Sequence, residues 1–280
     1  MIGVFDSGLG GLTVLGALRR RLPAARLLYA ADSAYAPYGE RDAAYVQQRS
    51  LLLASFLHAQ GAQLLVVACN TATALAIAEL RARWPALPFV GIEPAIKPAL
   101  AARRDGEGPV GVLATPATLG SDRFRALLRQ QGDDPAVLLQ PCPGLAEAVE
   151  ALGPQHPRTL NLVHTYCAPL RRAGCTRVVL GCTHYPLLAQ AIRDALGGAG
   201  VELLDPADAV AAQAQRLAQG LAPPGAEDPR DTQPQGALQA WSNGDPQLLR
   251  RVAAACGIAL EEVAPLAQPQ LAAPCHTPAV

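Results

Sequence analysis

Lysine is almost absent from this chain. Of its 23 basic residues, only Lys97 is a lysine, and the others are arginine. A Schiff-base cofactor such as pyridoxal phosphate needs a lysine anchor. Lys97 lies in a Pro-flanked connector, Glu93 to Pro98, with no obvious phosphate cup, so the chain is expected to use no cofactor. Net charge is missing too, because 23 acidic residues balance the basic ones. Nucleic-acid scaffolds carry a basic field, and a polybasic membrane patch needs the same excess. Neither nucleic acid nor a membrane is an expected partner. No apolar run is long enough to span a bilayer. The chain opens on Ile2-Gly3-Val4-Phe5, a strand, where a secretory signal would carry a basic stretch and a longer apolar one. The seven cysteines are odd in number and spread over 280 residues, which does not suit a disulfide framework. A reducing cytoplasm is the expected location.

What is present is a large apolar fraction, 50% of the chain, enough for one large α/β domain or two small ones. Leu64 to Thr73, LLVVACNTAT, reads as a buried parallel strand ending in Cys69, Asn70 and Thr71. In open α/β sheets, ligands bind at that end of the strand. Arg177 to Pro186, RVVLGCTHYP, repeats the design with Cys182, Thr183 and His184. At the start, the strand Ile2–Phe5 runs through Asp6-Ser7-Gly8-Leu9-Gly10-Gly11 into a helix over Leu12–Arg21. A dinucleotide fingerprint would need a further glycine at Thr13, and a phosphate loop would need Lys-Ser or Lys-Thr. Two readings remain: a tight turn without a ligand, or backbone N–H groups that hold a small anion such as a carboxylate. Asp6 and Ser7, polar at the strand tip, favour the second. The loop DSAYAPYGE after the next strand makes Tyr38 and Gly39 candidate ligand contacts, although aromatics capping a core edge would look the same.

The chain then restarts. Val110 to Thr115 echoes Ile2 to Ser7, with Thr115 and Thr118 where the first half has its polar turn. Gly111 follows Gly3 by 108 residues, and Cys182 follows Cys69 by 113. A nearly constant offset over several elements implies an internal duplication. The expected fold is therefore α/β, with two similar pseudo-symmetric lobes. Each lobe is a mostly parallel sheet flanked by helices, and the site lies in the cleft between them. The expected division is a first lobe over 1–96, a second over 97–206, and a segment over 207–267 that returns to the first lobe. A loop spans Leu221 to Gln235, and 268–280 is a Pro- and Ala-rich flexible tail.

Clefts between lobes are favoured ligand sites. There Cys69 and Cys182 would approach one small molecule from opposite sides, an arrangement suited to inverting a tetrahedral carbon. A thiolate removes a proton from one face, and a thiol donates one to the other. A free thiol has a pKa of about 8.5, so one of the pair must be activated and the other kept protonated. His184 beside Cys182 and Asp6 beside Cys69 could supply that difference. Asn70, Thr71 and Thr183 offer donors for a substrate carboxylate. Any single cysteine is explained by burial alone, as are Cys142, Cys167, Cys175, Cys256 and Cys275. A zinc site lacks partners at ligand spacing. A cysteine-nucleophile hydrolase and a two-lobed binding protein remain alternatives.

The segments GVFDSGLGGLTVL, PYGE, VVACNTATA, GIEPAIKPA and VLGCTHYPLL, in this order, resemble bacterial glutamate racemase, from Ile2 to about Asp205 and more weakly to about Glu261. The CNTAT-like segments also fit the wider aspartate and hydantoin racemase group. The resemblance implies cofactor-independent interconversion of L- and D-glutamate, supplying D-glutamate for peptidoglycan. It implies that Cys69 and Cys182 are the acid/base pair, assisted by Asp6, His184 and Glu150, with Glu147 as the alternative to Glu150. The implied substrate contacts are Asp6, Ser7, Tyr38, Gly39, Asn70, Thr71, Thr183 and His184, with Thr115 and Thr118 added from the repeat. A homodimer is one expectation. A racemase of this fold acting on another amino acid, such as aspartate, is the alternative.

Overall fold

The computed structural model describes residues 1–104, 106–221 and 235–266. The middle of the expected loop (222–234), the expected tail over 268–280 and Cys275 lie outside the described residues.

The first half runs β1 (Ile2–Asp6), α1 (Leu12–Arg21), β2 (Leu27–Ala31), α2 (Ala43–Ala59), β3 (Leu64–Val67), α3 (Asn70–Arg83) and β4 (Phe89–Gly91). After α4 (Ile96–Ala101) the pattern begins again: β5 (Val110–Ala114), α5 (Pro116–Gly120), α6 (Asp122–Gln130), β6 (Val137–Pro141), α7 (Leu145–Leu152), α8 (Pro157–Arg172), β7 (Arg177–Gly181), α9 (Ala189–Leu196) and β8 (Glu202–Leu204). The last described elements are α10 (Ala207–Gln219), β9 (Leu238–Ser242), α11 (Pro246–Ala255) and β10 (Val263–Pro265).

The strands form two sheets, ordered β10-β9-β2-β1-β3-β4 and β6-β5-β7-β8. Every pairing is parallel. The order β2-β1-β3-β4 of the first half is that of β6-β5-β7-β8 in the second, so the repeat seen in the sequence is a repeat of topology. Strands β9 and β10 have no counterpart in the second sheet and extend the first beyond β2.

Alternation along β1 explains the layers, since successive side chains point to opposite faces. Val4 packs with Leu15 of α1, Ala211 of α10 and Leu249 of α11. Its neighbour Phe5 packs with Leu53 and Leu57 of α2 and Leu80 of α3. With both faces covered, the strands can be continuous apolar runs, and β1, β2 and β5 are buried throughout. Two glycines at matched positions let the long helices approach the sheets. A Cβ on Gly3 would stand 3.2 Å from Leu57 Cβ of α2, and one on Gly111 2.9 Å from Leu170 Cδ1 of α8.

Candidate active site

The turn after β1 is built around a carboxylate of the protein itself. Leu9 N–H donates to Glu150 Oε1 at 2.6 Å, and Glu150 comes from α7 in the other half of the chain. The anion expected at this glycine-rich turn is thus an internal one. The glycines make room for it: a Cβ on Gly8 would lie 2.0 Å from Glu150 Oε1, and one on Gly10 2.4 Å from Thr183 Oγ1.

Cys69 ends the segment after β3 and caps α3, with Ala72 N–H donating to its Sγ at 3.4 Å. The helix therefore starts at Asn70. Its thiol reaches Ser7 Oγ at 3.6 Å, and Ser7 Oγ lies 3.4 Å from Asp6 Oδ1. Asp6 also accepts from Ser7 N–H at 2.7 Å and from Thr183 Oγ1 at 3.1 Å. Asp6 thus stands behind Cys69 and is linked to it through Ser7. Burial raises the pKa of the Cys69 thiol, and the nearby Asp6 charge adds to the shift, against the hydrogen bonds from Ala72 and Ser7. Asp6 is raised as well, chiefly by burial, with His184 acting in the opposite sense.

Cys182 follows β7, and its Sγ lies 3.6 Å from His184 Nδ1. His184 Nε2 is 2.5 Å from Glu150 Oε1. Burial on its own would lower the pKa of His184, but the bonds to Cys182 and Glu150 and the Glu150 charge outweigh it and hold the imidazole well above its usual value. Glu147, the alternative on the same helix, is exposed. The two cysteines therefore have separate partner chains, Cys69–Ser7–Asp6 on one side and Cys182–His184–Glu150 on the other.

Both chains end on one shared space. Its walls are Ser7, Cys69, Asn70 and Thr71 from the first half and Thr115, Cys182, Thr183 and His184 from the second, closed over by Pro37, Tyr38, Gly39 and Ala146. In this closed arrangement the cavity is about 10 Å³, room for roughly one water molecule. Thr71 Oγ1 lies 3.0 Å from Thr115 Oγ1 and 3.3 Å from Thr118 Oγ1, which joins the two halves across the cleft. Thr118 stands one step back from the cavity, bonded to Thr115 at 2.9 Å. Both side-chain polar atoms of Asn70 are buried with no protein partner, an expensive state unless a ligand supplies one.

Tyr38 lines the cavity, but its hydroxyl turns away from it and donates to Asp32 Oδ2 at 2.5 Å. Fully buried Asp32 is also held by Arg49 at 2.6 and 2.8 Å and by Asn243 Nδ2 at 2.7 Å. Asn243 Oδ1 in turn accepts from Ala34 N–H at 2.8 Å. Sequence reasoning missed Arg49 and Asn243, because the bonds that give them a role join distant parts of the chain.

The Asp/Glu/Hydantoin racemase family model matches residues 11–214. The chain belongs to that family. Within the racemases, it is 50% identical to the glutamate racemase of Ectopseudomonas mendocina over 251 residues, which cover 90% of this chain and 92% of that one. A solved glutamate racemase from Escherichia coli, in complex with L-glutamate and the activator UDP-MurNAc-ala, is 30% identical. It has a TM-score of 0.81, and the match covers 95% of this chain and 97% of that chain. The glutamate racemase of Francisella tularensis, in complex with D-glutamate, is 25% identical with a TM-score of 0.77, over 95% of this chain and 97% of that chain. Racemases are isomerases, and the chain is an enzyme of that class. Among the described residues no helix is long and apolar enough to cross a membrane, and no group of His, Cys, Asp and Glu side chains could hold a metal ion.

Proposed function

We propose that this enzyme interconverts L- and D-glutamate without a cofactor, by proton transfer between Cys69 and Cys182 on opposite faces of the substrate Cα. One observation carries the reading. Two cysteines end matched strands of a repeated fold and line one cavity, each with its own chain of polar partners. In the reaction, a thiolate on one side takes the α-proton, so an S–H bond forms as the C–H bond breaks. The electron pair spreads into the adjacent carboxylate. The thiol on the far side then gives its proton to the other face of Cα, and its sulfur is left as thiolate. The enzyme ends with its protonation reversed, ready for the opposite enantiomer.

The surroundings suit these roles. Burial keeps a proton on Cys69, as a donor needs, and Asp6 can receive that proton through Ser7 Oγ when Cys69 must act as base. On the other side, the protonated His184 beside Cys182 is steadied by Glu150. Ser7, Thr71, Thr115 and Thr183 supply hydroxyl donors for the substrate carboxylates, with Thr118 behind them. Asn70 gains the partners it lacks. Relatives described with bound L-glutamate and D-glutamate favour glutamate as substrate. The product fits a role in supplying D-glutamate for peptidoglycan from a reducing cytoplasm, where cysteines stay free.

The test is optical. L-Glutamate with the purified protein and no added cofactor should lose its circular dichroism, and D-glutamate should do the same. Unchanged signals with folded protein would contradict the proposal. Because the family also takes in aspartate and hydantoin racemases, L-aspartate belongs in the same assay. Faster loss with aspartate would reassign the substrate but not the chemistry.

A further inference from the structure

Beside the cavity the first lobe reaches the second through a residue that no proton-transfer step uses. The short turn Tyr38–Glu40 carries Tyr38 and Gly39, which line the cavity. Glu40 is exposed, and its carboxylate crosses the cleft, where Gly144 N–H donates to Oε1 at 2.6 Å. Gly144 caps α7 with a left-handed φ of 71°. Backbone N–H groups at a helix start lack partners within the helix and lie at the positive end of its dipole. A carboxylate is well matched to that position. Tyr166 steadies the same turn, its hydroxyl donating to Pro143 O at 2.6 Å.

The gripped helix matters to the site. Ala146 of α7 closes the cavity, and Glu150 of α7 holds His184. Its far end is also held from the first lobe, through Leu9 N–H on Glu150. The first lobe thus grips α7 at both ends, with a partly buried contact at one and Glu40 at the other.

We infer that Glu40 is a positioning residue that latches α7 over the cavity and so sets substrate affinity. The inference rests on the racemase reading for its kinetic assay. The closed cavity has room for about one water, so glutamate has to enter an opened cleft that then closes around it. A bond made only in the closed arrangement raises the fraction of protein in that arrangement. Apparent affinity scales with that fraction. Once substrate holds the cleft shut, the chemistry proceeds without Glu40, which bonds to neither sulfur nor to His184 or Asp6.

Steady-state kinetics of Glu40→Ala and Glu40→Gln test this. Glu40→Ala should raise KM for both enantiomers about tenfold, the low end for a charge-assisted hydrogen bond, with kcat within about twofold. Glu40→Gln keeps an acceptor oxygen and should recover most of the KM. Three results would overturn the latch: an unchanged KM in Glu40→Ala, a lower kcat at unchanged KM, or a glutamine variant as impaired as the alanine one. The unsubstituted protein is assayed alongside. If it does not racemize glutamate, the reaction assignment fails, and hydrogen exchange of the α7 amides then decides the latch. Faster exchange in Glu40→Ala supports it, and equal exchange overturns it.

Discussion

Cys69 and Cys182 differ in what stands behind them, and the difference shapes what each substitution should do. In the proposed mechanism, loss of either sulfur removes the base for one enantiomer and the acid for the other. Cys69→Ala and Cys182→Ala should each lower kcat/KM by at least about 10⁴-fold in both directions, the upper range for a positioned acid or base. Chiral chromatography measures both directions. Retention of more than about a tenth of the activity in either variant would contradict the pair. His184 gives a second handle. Its proton is held more tightly in the folded protein than in the unfolded chain, where the imidazole pKa is about 6.5. Its contribution to stability is therefore full below that pH and is lost as pH rises through the folded value. Glu150→Gln removes the carboxylate charge from His184, so the alkaline limb of the kcat/KM profile should move to lower pH. The fall in urea stability as pH rises above about 6.5, the unfolded imidazole value, should also become smaller. A wild-type profile in both measurements would mean that Glu150 does not hold the imidazolium. At this scale the sequence was informative where chemistry repeats, because Cys69 and Cys182 sit at matching places. It was silent on Asp32, Arg49 and Asn243. Asn243 reaches Asp32 from 211 residues away, and no local pattern records such a bond.

The glycine-rich turn and the C-terminal strands decide how the side chains meet. A Cβ on Gly10 would lie 2.4 Å from Thr183 Oγ1 and 2.8 Å from His184 Nδ1, so Gly10→Ala pushes the two halves of the site apart. About a hundredfold loss of kcat/KM is expected, as for a roughly 1 Å misplacement, with far-UV circular dichroism near that of the parent. Full activity would show that this close approach is not required. The end of β9 delivers Asn243 to the loop that carries Tyr38. Asn243→Ala leaves Asp32 and Ala34 N–H each short of one bond and should cost about 1–3 kcal/mol of stability in urea unfolding. No change in the midpoint would remove Asn243 from the loop's support. Helix α1 was legible over Leu12–Arg21, because a glycine-rich turn precedes it and its apolar residues recur at helical spacing. Strands β8 and β10 were not, since each is short and carries a residue, Glu202 or Pro265, that breaks the apolar run by which a buried strand is read. The start of α3 carries no cap legible in the sequence, because the sulfur of Cys69, rather than a hydroxyl or carboxylate, caps it.

At the scale of the whole molecule, the duplication was visible in the chain, and two sheets of one strand order embody it. How the two halves face each other was not, because it depends on bonds such as Thr71 to Thr115 and Leu9 to Glu150 that no single segment encodes. Those bonds close the cleft around a space that Cys69 and Cys182 both line. The central claim is that the proton removed and the proton delivered belong to different groups. L-Glutamate turned over in deuterium oxide tests it, with Cα labelling read by mass spectrometry at low conversion. D-Glutamate should appear already deuterated at Cα, while the remaining L-glutamate is still almost unlabelled. D-Glutamate that keeps its original Cα proton would contradict the account, because a single group would then have carried the proton from one face to the other.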